Sequence, residues 1–569
     1  MDFGKQLQAQ QRQLLCCQTN SEAFNVITPP RQPHSYKPNI WRYDVIQSLQ
    51  SKYKEEGYRR QAEKLVDDVK LLFLAAADEV LPKLQLVDRI GKLGLSYLFQ
   101  EEIRGALDTI SSIKNGSPCL EGDLYATALC FKLLRQYGYE ASQDVFIGFM
   151  DEKGTFSSAN KCTDDIKGLI ELFEASHLVL EGENILEEAK VFSKATLKDI
   201  YPTLNSDLGE KVAKVLELPS HWRVQWFEVR WHINSYENEK NNNQILLELA
   251  KLNFNIVQAT LQNDLREVSR WWRNLGFIEN LNFSRDRLVE SYMCAVGLAY
   301  EPKHSCFRKW LTKVVIFILV IDDIYDIYGS LEELQQFTNA VERWDSREIQ
   351  NLPECMKICF QALYETANEM ANEIQKEKGW NIKVLPHLRK VWADFCKALF
   401  LEAKWHHNGY TPSLEEYLSN AWISSSGTLL SVHSFFSIMS EVTEETADFL
   451  GPNQDLVYNS SLIIRLCNDL GTSAAELERG DVASSILCCM MEMNISEEKA
   501  RNHIKGMISN IWTKLNGQCF HQSPLFQSFV NITTKFARVA HSLYQYGDGF
   551  GVQDRDTEKH ILSLLIEPL

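Results

Sequence analysis

Apolar residues recur at three- and four-residue spacing over Tyr43–Gln61, Arg89–Ile110, Asp123–Tyr137 and Asn241–Trp272, which is the pattern of amphipathic helices. Alternating β-branched runs bounded by turns are missing. Glycine and proline fall mostly between the periodic stretches, as at Gly154, Pro202, Pro219, Pro353, Pro386 and Pro412, where they punctuate helices. The periodicity predicts an all-α chain. At 569 residues it is too long for one small core. The polar run ENEKNNN at 237–243 breaks the pattern and marks a boundary. The expected organisation is a flexible extension over residues 1–30, a helical domain over 31–240 and a larger one over 241–569. All the candidate chemistry lies in the last.

Charge narrows the function. A formal net charge of −17 without a basic stripe argues against a nucleic-acid surface, because phosphate neutralisation needs clustered Lys and Arg. It suits a small-molecule enzyme whose anionic substrate arrives on a divalent metal. The 14 cysteines include the adjacent pairs Cys16-Cys17 and Cys488-Cys489 but no CxxC repeat. That fits neither a zinc site nor a small disulfide framework, and points to a reducing compartment. The longest strongly apolar run, Val314–Ile321, is far short of the roughly 20 residues of a membrane span. Residues 1–30 lack an apolar signal core and carry Asp2 and Glu22, so the cytosol is expected rather than export or a plastid.

Three clusters carry chemistry. The first is Asp322-Asp323-Ile324-Tyr325-Asp326, which follows a buried apolar run and continues to Gly329 as a helix end. Asp322 and Asp326 are four apart and share a helix face, with Asp323 about a quarter-turn away. Carboxylates near a helix C-terminus repel each other and oppose the helix dipole. Hard divalent cations offset that cost. A solvated acidic helix end explains the same residues, taken alone. The second cluster is Arg465, Asn468, Thr472 and Glu476, which project from one helix face. Amide, hydroxyl and carboxylate oxygens suit a further magnesium, and Arg465 suits a diphosphate oxygen. The third is Ser284-Arg285-Asp286-Arg287, with Ser284 as a candidate N-cap and two arginines at an anion-binding helix start.

With those residues in view, the chain resembles the plant class I terpene synthases. Asp322 to Asp326 looks like the family's DDxxD motif. Asn468, Thr472 and Glu476 match its second metal motif, and Arg285 and Arg287 match its RxR segment. The likeness runs from RQPHSYKPNIW to YQYGDGFG, and no DxDD motif of protonation-initiated enzymes is present. Stretches such as LPSHWRVQWFEVRWHINSYE and NDLGTSAAELERGD are most similar to the α-farnesene-forming branch. The family's N-terminal tandem arginine reads Arg31-Gln32 here, ahead of Trp41, and its loss favours an acyclic product.

The resemblance implies two helical domains and a cavity between helices of the C-terminal one. It implies three Mg²⁺ ions, with Mn²⁺ as a substitute, held by Asp322 and Asp326 on one side and Asn468, Thr472 and Glu476 on the other. Arg285 and Arg465 then bind the diphosphate of a prenyl substrate, with Arg287 and Asp323 in support. Trp271, Tyr325, Trp422, Phe436, Tyr544 and Tyr546 are the aromatic candidates for the cavity wall, and Asp548 pairs with Tyr544. Ser424-Ser425-Ser426-Gly427 is expected to break an apolar helix at the cavity. The implied reaction turns farnesyl diphosphate into acyclic α-farnesene in a monomer. A monoterpene enzyme, an alcohol-forming enzyme, a chain-elongating prenyltransferase and a non-catalytic scaffold are the alternatives.

Overall fold

A computed structural model describes residues 37–569 apart from 77–78, 113–121, 157–164, 282, 480–482 and 521–525, and without the side chains of 206, 452 and 474–479. The expected 1–30 extension, Arg31-Gln32 and the Glu476 side chain lie outside what is described. Among the described residues every regular element is helical, as the periodicity predicts. Among the described residues no helix is long and apolar enough to cross a membrane.

Two large apolar cores organise residues 37–569. One gathers Leu65, Val87, Phe99 and Leu107 from early helices together with Trp226 and Phe254. The other gathers Phe317, Val320, Trp392, Phe435, Leu466 and Phe536. Helix α1 (Gln244–Asn274) feeds both, through Leu246, Leu261 and Leu265 in the first and Val268 and Trp272 in the second. The ENEKNNN run does more than interrupt the periodicity. Its last residue, Asn243, accepts a hydrogen bond from Leu246 N at 3.0 Å and so caps α1.

The elements that build the site follow α1. They are α2 (Leu288–Leu298), α3 (Ser305–Asp323), α4 (Leu385–His407), α5 (Leu414–Ser424), α6 (Gly427–Ile438), α7 (Leu450–Arg479) and α8 (Gln527–Tyr544). Helix α3 is buried on nearly every side, by residues such as Val314, Phe317 and Val320, which is why its sequence is apolar all round. Pro386 lies in the first turn of α4, where a missing N–H costs nothing. At the α5–α6 break Ser426 takes φ +66°, and a Cβ on Gly427 would meet Ser461 Oγ at 2.1 Å. Only glycine lets α6 start that close to α7.

Early and late helices meet at a histidine and tryptophan cluster. Trp222 stacks on Trp512 and His541, His221 Nε2 contacts Asn516 Oδ1 at 2.8 Å, and Asn516 Nδ2 donates to the His177 carbonyl at 2.9 Å. Burial lowers His177, His221 and His541 to about 3 each, from an ordinary 6.5. Between pH 6.5 and 3 the unfolded chain therefore binds protons that the folded chain does not. Stability is fully present above pH 6.5 and falls on acidification, each histidine adding a slope of up to about 1.4 kcal/mol per pH unit. The urea midpoint should drop clearly between pH 7.5 and 5.0; an unchanged midpoint would contradict the burial.

Candidate active site

The chain after α3 does not continue as an α-helix to Gly329, as its sequence suggests. It widens into a π-turn over Ile324–Tyr328, closed by Gly329 N–H donating to Ile324 O at 2.9 Å. Such turns recur at functional sites. Gly329 is no left-handed cap, having φ −77°. The site is cramped: a Cβ would meet Leu334 Cδ2 at 2.5 Å and Met356 Cε at 2.8 Å, so a larger residue would have to push those side chains aside. The turn leaves Asp322 and Asp326 lining one cavity, with Asp326 exposed at its mouth. Asp323 is fully buried instead and accepts from Ser284 Oγ at 3.0 Å and Arg285 N at 2.8 Å.

That contact also corrects the Ser284 reading. Ser284 caps no helix: α2 begins at Leu288, and the serine hydroxyl is taken by Asp323. Arg285 faces the cavity, its Nη2 donating to Asp322 at 2.7 Å and its Nε lying 2.9 Å from Asp323. Arg287 does not reach the cavity. It is 2% exposed, its Nε donating to the Phe550 carbonyl at 2.7 Å and its Nη2 to the Lys37 carbonyl at 3.2 Å. Asp286 accepts from Tyr43 Oη at 2.5 Å, Trp272 Nε1 at 3.0 Å and Asn39 Nδ2 at 3.0 Å. The RDR segment is thus one cavity arginine flanked by two anchors.

Arg465, Asn468 and Thr472 of α7 line the same cavity, as their helical spacing predicts. Arg465 Nη2 donates to Ser424 Oγ at 3.0 Å and Nη1 to Asn468 Oδ1 at 3.4 Å. Burial alone would lower the guanidinium. The Tyr417 phenol oxygen and the carboxylates of Glu402, Asp469 and Asp322 outweigh it and hold Arg465 well above its ordinary value. Glycine is again positional: a Cβ on Gly471 would meet the Gly547 carbonyl at 2.9 Å, so the turn after α8 rests directly on α7. That turn brings Tyr544, Asp548 and Phe550 to the cavity. Asp548 Oδ1 accepts from Phe550 N at 3.0 Å and Gly551 N at 2.7 Å, which shapes the loop it sits in.

Leu298, Leu311, Val315, Ile318, Leu430 and Ile464 join Phe536 and Leu543 as the apolar part of the wall, with Ser424, Ser425 and Ser426 at the α5–α6 break. Five of the aromatic candidates do not line it. Trp271 packs edge-on against Phe317 under the Lys313 ammonium. Tyr325 is buried behind the π-turn and bonded to Thr338 Oγ1 at 2.7 Å. Phe436 packs with Phe435 in the core, and Trp422 lies against Tyr458. Tyr546 is 78% exposed and bonds Glu217. Aromatic identity gives no direction, whereas helical spacing does. Sequence reasoning also missed Glu402, a half-buried carboxylate on the wall.

The donors fit magnesium in a particular way. Among the described residues no three His, Cys, Asp or Glu side chains gather into a ready-made metal cage. Asp322, Asp326, Asn468 and Thr472 instead present hard oxygens around one space, with two arginines beside them. Arg465 Nε is buried without a hydrogen-bond partner. Magnesium is commonly held by one or two carboxylates plus substrate phosphates, and an anion there would share the arginines.

Known proteins match this arrangement end to end. Residues 40–216 match "Terpene synthase, N-terminal domain" and residues 273–514 match "Terpene synthase family, metal binding domain". The chain belongs to the terpene synthase family. It is 61% identical over 558 residues to the alpha-farnesene synthase of Ricinus communis, covering 98% of each chain. It is 56% identical over 580 residues to the (E,E)-alpha-farnesene synthase of Malus domestica, covering 100% of each. Among solved structures, isoprene synthase from grey poplar with three Mg²⁺ ions and dimethylallyl-S-thiolodiphosphate superposes with TM-score 0.85 at 43% identity, covering 93% of this chain and 99% of that one. The terpene synthase described here shares the all-helical class I fold of that enzyme.

Proposed function

We propose that this terpene synthase ionises farnesyl diphosphate with Mg²⁺ and deprotonates the cation to acyclic (E,E)-α-farnesene. The observation that carries the reading is one cavity lined both by oxygen donors and arginines and by apolar side chains. Along α3 the lining runs from Leu311, Val315 and Ile318 to Asp322 at the helix end. Full-length similarity to two α-farnesene synthases supports the product. In this reading residues 241–569 form the catalytic domain, and a cytosolic, monomeric enzyme is part of the same proposal.

Asp322 and Asp326 would hold two ions and Asn468, Thr472 and Glu476 a third, with Mn²⁺ able to replace Mg²⁺. When bound, the metal neutralises the charge that grows on the leaving diphosphate. Arg285 and Arg465 donate charge-assisted hydrogen bonds to that diphosphate. The aliphatic wall keeps water from the allylic cation. Its C4 proton would leave to the departing diphosphate, which Arg465 would hold as the base. Asp323 and Arg287 act indirectly, by fixing Arg285 and the loop that carries Phe550.

Steady-state kinetics with purified protein test the substrate. Diphosphate release from farnesyl diphosphate should be abolished by chelator, restored by Mg²⁺, and exceed that from geranyl diphosphate in kcat/KM by about tenfold or more, since chain length is read by apolar contact. A preference for the shorter chain would keep the ionisation chemistry and overturn the substrate.

A further inference from the structure

Neither metal motif accounts for one half-buried carboxylate on the cavity wall. Glu402 of α4 lies in the segment Leu-Glu-Ala-Lys-Trp. Its Oε1 accepts from Ser424 Oγ at 2.5 Å and from Asn420 Nδ2 at 3.0 Å. A carboxylate lining an anion site repels the ligand, so its presence calls for a partner. Ser424 supplies the link, because its oxygen also accepts from Arg465 Nη2 at 3.0 Å. A serine hydroxyl has one proton to give and two lone pairs. With the proton committed to Glu402, the lone pairs face Arg465. A single hydroxyl at the end of α5 thus joins a carboxylate on α4 to a guanidinium on α7.

Two further contacts of the guanidinium are longer, at 3.4 Å to Asn468 Oδ1 and 3.9 Å to Asp469 Oδ1. Asp469 is moreover occupied by Tyr417 Oη at 3.1 Å and Ser485 N at 2.8 Å. Burial pushes the Glu402 carboxyl up, and the Arg465 charge opposes that rise. We propose that Glu402 is a positioning residue, which through Ser424 sets the Arg465 guanidinium where the diphosphate is gripped. The inference rests on reading the cavity as a prenyl diphosphate site. An arginine already held in place loses less freedom on binding.

The test is calorimetric binding of inorganic diphosphate with Mg²⁺ to the full chain, in a double-mutant cycle. Glu402→Ala is expected to weaken binding about tenfold, and Ser424→Ala by a similar factor. Glu402→Gln retains an oxygen acceptor and should recover most of the loss. In an Arg465→Ala background, Glu402→Ala should change binding by less than about twofold, because its effect runs through the arginine. If Glu402→Ala fails to fold, Ser424→Ala completes the same cycle. Equal losses with and without Arg465, or full binding in both Glu402→Ala and Ser424→Ala, overturns the proposal while leaving the substrate reading intact. A wild-type chain that binds no magnesium diphosphate overturns both.

Discussion

Asp326→Ala should lower kcat with farnesyl diphosphate and Mg²⁺ by about 10³-fold or more, while its thermal midpoint stays near that of the wild type. The two halves of this expectation have one cause. Asp326 is exposed on the π-turn at the cavity mouth, where truncating a side chain opens no cavity in the core. Its value lies in the metal it would hold. Asp323→Ala is expected to behave differently, because Asp323 is fully buried and holds Ser284, the Arg285 backbone and the Arg285 side chain. Losing it strands buried donors and should lower stability as well as activity. Comparing the two variants separates a ligand from a scaffold within one five-residue segment, Asp322–Asp326. An Asp326→Ala protein of near wild-type kcat would remove this aspartate from the metal site.

Asp264→Ala should cost about 3–5 kcal/mol of stability, the largest effect expected away from the cavity. Arg308 is 0% exposed and Asp264 1% exposed. Asp264 Oδ2 accepts from Arg308 Nη2 at 2.6 Å and Nε at 3.0 Å, and Oδ1 accepts from Ser305 Oγ at 2.6 Å. Arg308 Nη1 also donates to the carbonyls of Ala299 and Glu301, at 2.8 and 2.7 Å. The pair therefore ties α1 to α3 and to the segment between α2 and α3. Truncating the aspartate leaves a guanidinium buried without its counter-charge. Asp264→Leu combined with Arg308→Met removes both charges and should cost less than Asp264→Ala alone, since the penalty comes from the stranded ion. Urea unfolding of the single and double variants measures this. A single-variant cost below about 1 kcal/mol would show that solvent reaches the pair.

What the sequence made legible follows from which signals carry direction. Spacing on a helix does, so Arg465, Asn468 and Thr472 were placed on one face and do line one cavity. The Asp322 and Asp326 pair came out together for the same reason, although the π-turn that presents them has no sequence signature beyond the cramped Gly329. Local capping chemistry was less secure. Ser284 has the composition of an N-cap, but a buried acceptor on a distant helix took its hydroxyl. Aromatic residues gave almost no directional information, since Trp271, Trp422 and Phe436 satisfy core packing as well as a cavity wall. Glu402 was invisible for a different reason. Its partners Asn420 and Ser424, and the Arg465 beyond Ser424, sit on other helices, and nothing in a lone glutamate announces a place on a cavity wall.

The central claim is tested most directly by incubating the protein and Mg²⁺ with farnesyl diphosphate deuterated at both C4 positions, then reading the product by gas chromatography–mass spectrometry. The account predicts one dominant acyclic hydrocarbon, α-farnesene, that has lost a single deuterium from C4. A product retaining both deuteriums, whether cyclic, an alcohol or an isomer formed by losing a methyl proton, would contradict it.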